Sequence, residues 1–275
     1  VWHSFDKALV TVSDVTVSRL PVSHVTILKD ASVSDVTVSP RPSGPWVMAM
    51  EWRDLLFAHW PIPAAALRGL IPPTLELQTF DGWAWIGIVP FRMTNVRPRM
   101  VPSLPWISHF AELNVRTYVT AGGKPGVWFF SLDAANPLAV QVARATFHLP
   151  YFDAHMQCQP HGDGIRYRSV RTHRKAPDAA LRATYCPTGP IYQSQPGTLE
   201  YWLTERYCLY AADKHGHVSR GDILHTPWPL QPAEAEFEQN EMMFQIGLRC
   251  PNTQPLLHFA RYLDVVAWLP KRVKG

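Results

Sequence analysis

Prolines limit what this chain can fold into more than any other residue type: 26 of them stand against 15 glycines in 275 residues, and they fall between short apolar runs. Each proline fixes φ and removes a backbone donor, which breaks up long helices and suits strands joined by tight turns. A β-rich fold follows. Nearly half of the residues are hydrophobic, 11 are Trp and only 17% are charged, a composition that supplies a sizeable core and excludes a disordered chain. The net charge of +4 is a mild basic bias, which favours small anions but does not by itself mark a nucleic-acid-binding protein. Cys158, Cys186, Cys208 and Cys250 are far apart and form no Cys-x-x-Cys pair, so they resemble neither a zinc site nor a disulfide framework, and reduced, mostly buried thiols are expected. With no apolar run of about 18 residues and no basic-then-apolar leader, the expectation is a cytoplasmic location without membrane insertion.

Two regions differ in texture. Val1 to about Pro45 is rich in Val, Ser, Thr and Asp, and the phrase Val12-Ser13-Asp14-Val15-Thr16-Val17-Ser18 recurs letter for letter at Val33–Ser39. So few copies cannot bury a continuous core, and residues 1–45 are read as a disordered or non-native extension. Residues 46–275 are read as a single domain.

Within that domain the clearest local signal is a hairpin. Glu112–Thr120 and Gly126–Leu132 are β-prone runs on either side of Ala121-Gly122-Gly123-Lys124-Pro125, a turn-rich spacer. Asn136 before Pro137 reads as an N-cap and first-turn pair, and Leu138, Val142, Ala145 and Phe147 give the following helix an apolar stripe as far as His148. Short helices are expected at 63–70, 198–204 and 240–246, and strands at 83–89, 154–159, 164–173, 206–211, 218–224 and 256–269. The sum is an α+β fold with antiparallel strands dominant.

Several phrases here resemble the YqjF-like family of bacterial proteins: Trp52-Arg53-Asp54-Leu55-Leu56-Phe57 with His59-Trp60-Pro61, Val89-Pro90-Phe91-Arg92, and Glu112-Leu113-Asn114-Val115-Arg116-Thr117-Tyr118. Leu203 to Tyr210 and Leu257 to Arg261 carry the same resemblance, which spans about Trp46 to Val273. The family is similar in turn to acetoacetate decarboxylase, which implies an antiparallel β cone or barrel around a pocket, with a few short helices. It also implies a comparison of chemistry. In the decarboxylase a strand ending in Asp leads to a helix with a late Arg and an aromatic residue, then to a Pro-Lys-Lys phrase with the reactive amine. Here Asp133, Arg144 and Phe147 are followed by Pro150-Tyr151-Phe152. Neither Tyr nor Phe forms an imine. A Schiff-base mechanism is therefore not expected, and no cofactor is implied.

The candidate site is what remains. Side chains alternate along a strand, so Glu112, Asn114, Arg116 and Tyr118 share one polar face. The resemblance implies that the Glu112 position points into the pocket. Such a face is more commonly just a solvated one. Arg261 shares an otherwise apolar row with Leu257, Phe259, Leu263 and Val265, and a buried arginine needs a carboxylate such as Glu112 or Glu205, or an anionic ligand. Tyr151 either donates a hydrogen bond to a carbonyl or enolate oxygen or plugs the volume a lysine left. Of Glu205 and Arg206 only one can face the pocket, and Glu205 is assigned to it. Arg166, Arg168, Arg171, Arg174 and Lys175 form the densest basic run, read as an exposed sheet edge rather than an RNA-binding surface.

Two functions fit. One is an enzyme acting on a small carboxylate or carbonyl compound, with Glu112 and Tyr151 as catalytic groups and Asn114, Arg116, Arg261 and Glu205 as substrate-binding groups. The other is a non-catalytic protein that binds or senses such a compound. A carboxylate whose pKa is raised towards neutrality favours the first. Neither a nucleic-acid nor a membrane partner is expected, and a homo-oligomer is left open.

Overall fold

A computed structural model describes residues 39–104, 106–213 and 215–273. The chain divides into a unit of residues 1–34 and one of residues 35–275. Every strand and helix of the described residues belongs to the second unit, and the repeated phrases, apart from Ser39, lie outside the described residues.

The strands, in chain order, are β1 (Met48–Ile62), β2 (Glu76–Leu77), β3 (Ala84–Pro98), β4 (Phe110–Ala121), β5 (Lys124–Ala134), β6 (Tyr151–His161), β7 (Gly164–Arg171), β8 (Ala180–Pro187), β9 (Cys208–Ala212), β10 (Val218–His225), β11 (Gln231–Asn240), β12 (Leu256–Ala267) and β13 (Lys271–Arg272). Among the described residues three short helices interrupt them: α1 (Ala64–Arg68), α2 (Pro137–Phe147) and α3 (Leu199–Thr204). The anticipated helix near 240–246 is a single 3-10 turn, Phe244–Ile246. The hairpin forms as read, with β4 and β5 joined by Gly122 and Gly123 at φ 56 and 73. Positive φ at both central residues is what a two-residue turn matched to strand twist requires, and glycine supplies it without a Cβ clash.

The sheet closes on itself through two branch points, β5 and β12. β5 pairs with β4, β6 and β9, and β12 pairs with β1, β10 and β11. One circuit therefore runs β5-β9-β10-β12-β1-β3-β4 and back to β5, while β6, β7, β8 and β11 make a second path between the same two junctions. Most pairings are antiparallel, and among the described residues only the pairings of β5 with β6 and β9 are parallel.

Two β-bulges decide which side chains face the inside of the first circuit. On β1 the register with β3 shifts between Arg53 and Ala58, where Asp54 has φ 53. Met48, Met50 and Trp52 before the shift, and Leu55 and Phe57 after it, share one core, whereas Leu56, Ala58 and Trp60 face another. Asp54 is pinned there: its carboxylate accepts from Arg92 Nε at 2.9 Å, and its carbonyl accepts from Tyr185 Oη at 2.9 Å. On β5 the register with β4 shifts between Val115 and Arg116, so Asn114 lies opposite Leu132 and Arg116 opposite Phe129, with one residue to spare on β5. An inserted residue re-aims the strand without ending its pairing.

Residues ahead of β1 also join this unit. Val47 N donates to Ala267 O at 2.8 Å, and Trp268 Nε1 donates to Gly44 O at 2.9 Å. The four thiols are free, but only Cys208 is buried, and the other three are half-buried. No helix of the described residues is long and apolar enough to cross a membrane.

Candidate functional site

The first circuit encloses a cavity of about 290 Å³ with largely apolar walls from β1, β3, β4, β5 and α2. Met50, Leu55, Phe91, Met93, Phe129 and Leu132 are typical of them. Three consecutive inward positions of β4, Glu112, Asn114 and Arg116, supply polar groups, and all three are buried. The expected polar face of this strand thus points into the cavity and not into water. Tyr118, next in the row, is buried beyond the lining, and its hydroxyl meets His59 Nε2 at 2.6 Å. Opposite Arg116, Gly87 makes the space: a Cβ there would stand 3.0 Å from the His59 ring and 3.4 Å from Arg116 Cγ.

One end of the cavity is built around Glu112. Tyr151, the first residue of β6, donates from its hydroxyl to Glu112 Oε2 at 2.9 Å. Burial pushes the Glu112 carboxyl up to about 8, against the Tyr151 hydrogen bond that favours its charged form and helped by the neighbouring Asp133. Removing a carboxylate from water is costly enough for the proton to stay on. At pH 7 Glu112 is therefore a neutral acid that can donate as well as accept. The most exposed residues of the wall gather at this end: Leu138 and Val142 of α2, 52% and 47% exposed, together with Pro98. Here the cavity opens. Asn136 fixes α2 over the opening, since its Oδ1 accepts from Leu138 N and Ala139 N at 3.1 and 3.2 Å while its Nδ2 donates to Ile107 O at 3.0 Å. The stripe expected to bury this helix does not do so: Leu138, Val142 and Ala145 are exposed and Phe147 half-buried, Leu138 and Val142 face the opening, and the helix's buried residue, Val140, lies off that stripe.

The other end is cationic. Arg116 lies 5.2 Å from the Phe57 ring and 5.8 Å from that of Tyr118, and its Nε and Nη2 have no hydrogen-bond partner. Arg206, just after α3, lies 5.1 Å from the same Tyr118 ring and 4.6 Å from Trp202. Arg206 Nε donates to Trp202 O and Nη1 to Gln78 Oε1, both at 2.6 Å, but Nη2 is unpartnered. Burial, with the charge of Arg116 nearby, lowers Arg206 to about 10, so it stays protonated at neutral pH. Between the ends, Asn114 Oδ1 is buried without a donor.

The remaining sequence candidates lie elsewhere. Arg261 is exposed and outside the cavity wall. The alternation assumed for its row fails because Phe259 and Ala260 are both buried, and Arg261 and Tyr262 both exposed, opposite the Asp54 bulge. Glu205 accepts from Tyr207 Oη at 2.5 Å and from Trp228 N at 2.9 Å, which makes it a brace for the Trp228 segment, and it is Arg206 that reaches the cavity. The sequence signal for Arg206 is the helix end itself, which leaves adjacent residues pointing to opposite sides. Trp52, His225 and Trp228, also in the wall, carry no separate signal. The basic run splits as well: Arg166 and Arg168 are exposed, while Arg171 turns inward and its Nη2 meets Asp133 Oδ1 at 2.6 Å.

No lysine among the described residues lines the cavity; Lys124 Nζ is ion-paired with Asp222 Oδ1 at 2.8 Å. Tyr151 and Phe152 are the residues that the sequence resemblance sets against the Lys-Lys phrase. Tyr151 is in the wall, and the Phe152 ring lies 4.2 Å from Arg171.

Known proteins resemble the chain at two levels. The Bacillus subtilis protein "Uncharacterized protein YqjF" is 48% identical over 227 residues, which are 82% of this chain and 93% of that one. Among solved structures, the enduracididine biosynthesis enzyme MppR, complexed with the condensation product of pyruvate and imidazole 4-carboxaldehyde, superposes with a TM-score of 0.58 at 10% identity, covering 84% of this chain and 90% of that one. Acetoacetate decarboxylase from Legionella pneumophila gives a TM-score of 0.53 at 16% identity, covering 86% and 92%. These structural likenesses establish the acetoacetate decarboxylase-like fold. A family model described as "Uncharacterized conserved protein (COG2071)" matches residues 49–264, and the chain belongs to that family, DUF2071.

Proposed function

We propose that the protein is an enzyme that binds a small carbonyl compound bearing a carboxylate and moves a proton on it, with Glu112 as the acid–base group. The observation that carries this reading is the buried carboxyl held at about 8 in the cavity wall. A group with that pKa exchanges its proton near neutrality in either direction. As the carboxylate it takes a proton from the carbon beside a carbonyl. The C–H electron pair becomes the C=C bond of an enolate, the carbonyl π pair moves onto its oxygen, and the new O–H bond restores the neutral acid. Tyr151 orients Glu112 through its hydrogen bond and stabilises the charged form that the reaction needs. Arg116 is the counter-charge for the ligand's carboxylate. No step passes through an imine.

A second reading, capture of the same ligand without chemistry, is favoured by walls that are apolar almost throughout. One experiment separates the two. Incubation with a panel of oxo-carboxylates in D2O, followed by proton NMR, should show exchange beside the carbonyl of at least one of them. Glu112→Gln should slow that exchange by about 100-fold or more, while borohydride should trap no substrate on any lysine. Binding without exchange would favour capture, and a stoichiometric lysine adduct would overturn the proton-transfer reading.

A further inference from the structure

We infer that Arg116 and Arg206 together form a clamp for a single carboxylate head, and that the ligand is an amphiphilic acid whose apolar body runs from the clamp to the opening under α2. This deepens the proposed function and rests on the cavity being a ligand site.

Two guanidiniums that share one tyrosine ring, 8% and 6% exposed, leave three nitrogens without acceptors: Arg116 Nε and Nη2, and Arg206 Nη2. No carboxylate of the described residues bonds to either group. An unpaired buried charge is expensive, and stacking on aromatic rings offsets only part of the cost. Two such charges side by side repel each other as well. An anion removes all three penalties, and the planar forks match the two oxygens of a carboxylate.

The rest of the cavity selects the body. Glu112 and Arg116 are four residues apart on one strand, a separation of about 13 Å between Cα atoms, and the wall between them offers only Asn114 as a polar side chain on that strand. A short acid such as acetate would fill the clamp and leave the apolar walls in contact with water. An acid with a hydrocarbon chain or ring covers them. The opening agrees with this. Pro98 and Ile107 are both in the wall, and between them in sequence Met100, Val101, Leu104 and Trp106 are exposed, while the wall's own Leu138 and Val142 are about half-exposed. Exposed apolar side chains in the wall of an apolar cavity favour entry of an amphiphile.

The test uses octanoate, octanol and acetate as probes, read by calorimetry and by the fluorescence of Trp52 and Trp228 in the cavity wall. Octanoate should bind at least about tenfold more tightly than octanol and far more tightly than acetate. Arg116→Met and Arg206→Met should each weaken octanoate by about tenfold or more and leave octanol unchanged or tighter, which also shows that the variants are folded. Arg206→Lys is the milder variant should the methionine forms fail to fold. Glu112→Gln should retain octanoate. Equal affinity of the unaltered protein for octanol and octanoate would overturn the clamp but spare the pocket. Loss of octanoate in Glu112→Gln with retention in both arginine variants would place the head at the other end and overturn it too. If none of the three probes binds, both this inference and the ligand-site reading fall.

Discussion

Arg171 and Arg116 are buried to the same degree, 7% and 8% exposed, yet every nitrogen of one has an acceptor while the other leaves two nitrogens without one. The Arg171 guanidinium meets both Asp133 oxygens, at 2.6 to 3.2 Å, donates to Pro177 O at 3.1 Å and stacks on Phe152. Its pair ties β7 to β5, where β5 branches. Arg116 has rings around it, but its Nε and Nη2 make no hydrogen bond. A fold that satisfies one buried arginine so fully has no need of the second for its own stability. The difference separates a charge that holds the sheet together from one held ready for something else, and a site kept ready for a ligand is commonly bought with stability.

The largest effect should come from breaking the saturated pair. Arg171→Met leaves Asp133 buried without its cation, and unfolding by urea should show a loss of about 3–5 kcal/mol. Burial already raises Asp133 to about 6 despite Arg171, so the variant should retain a proton there and lose less at low pH than at high pH.

The next effect belongs to Glu112 and has a definite sign. Its folded pKa, about 8, lies above the ordinary 4.5, so the native state binds the proton more tightly than the unfolded chain does. The contribution to stability is full below about 4.5, declines as pH rises through the window between the two values, and is lost above about 8. Glu112→Gln should remove this decline. Relative to the unaltered protein, it should gain about 4 kcal/mol between pH 5 and pH 9, read from unfolding curves at each pH. Asp133 titrates in both proteins, and its contribution largely cancels in the difference.

The smallest effect sharpens the comparison from the other side. Arg116→Met removes an uncompensated cation and supplies an apolar side chain of similar reach. The ligand-free protein should be unchanged or more stable by about 1 kcal/mol, while losing the octanoate-dependent rise in melting temperature. A loss comparable to that of Arg171→Met would mean that Arg116 also serves the fold.

Legibility in the sequence varies with how local the physical cause is. Glu112, Asn114 and Arg116 can be placed on one face because β4 is regular where they lie, and the Gly122-Gly123 turn fixes the neighbouring strand. Arg261 cannot be placed, because the break in its alternation is set by Asp54 on another strand. β1 does not read as a strand for the same reason: its bulge interrupts the period-two pattern. β11 also escapes, although Ala233, Ala235 and Phe237 alternate with Glu234, Glu236 and Glu238, a signal that reads as an exposed edge until β8 is known to pair with it. For Arg206 the sequence shows the end of α3 but not which of Glu205 and Arg206 turns inward, which packing against Tyr118 and Trp202 decides.

The proposed chemistry depends most directly on Glu112 being protonated in the folded protein at neutral pH. Infrared difference spectroscopy across a pH titration measures this at the carbonyl stretch of a neutral carboxyl group. A band present at pH 6.5 should disappear with a midpoint near 8 and be absent from Glu112→Gln. If the unaltered protein and Glu112→Gln give the same spectrum at pH 6.5, Glu112 is already ionised, and the proposed acid–base role is contradicted.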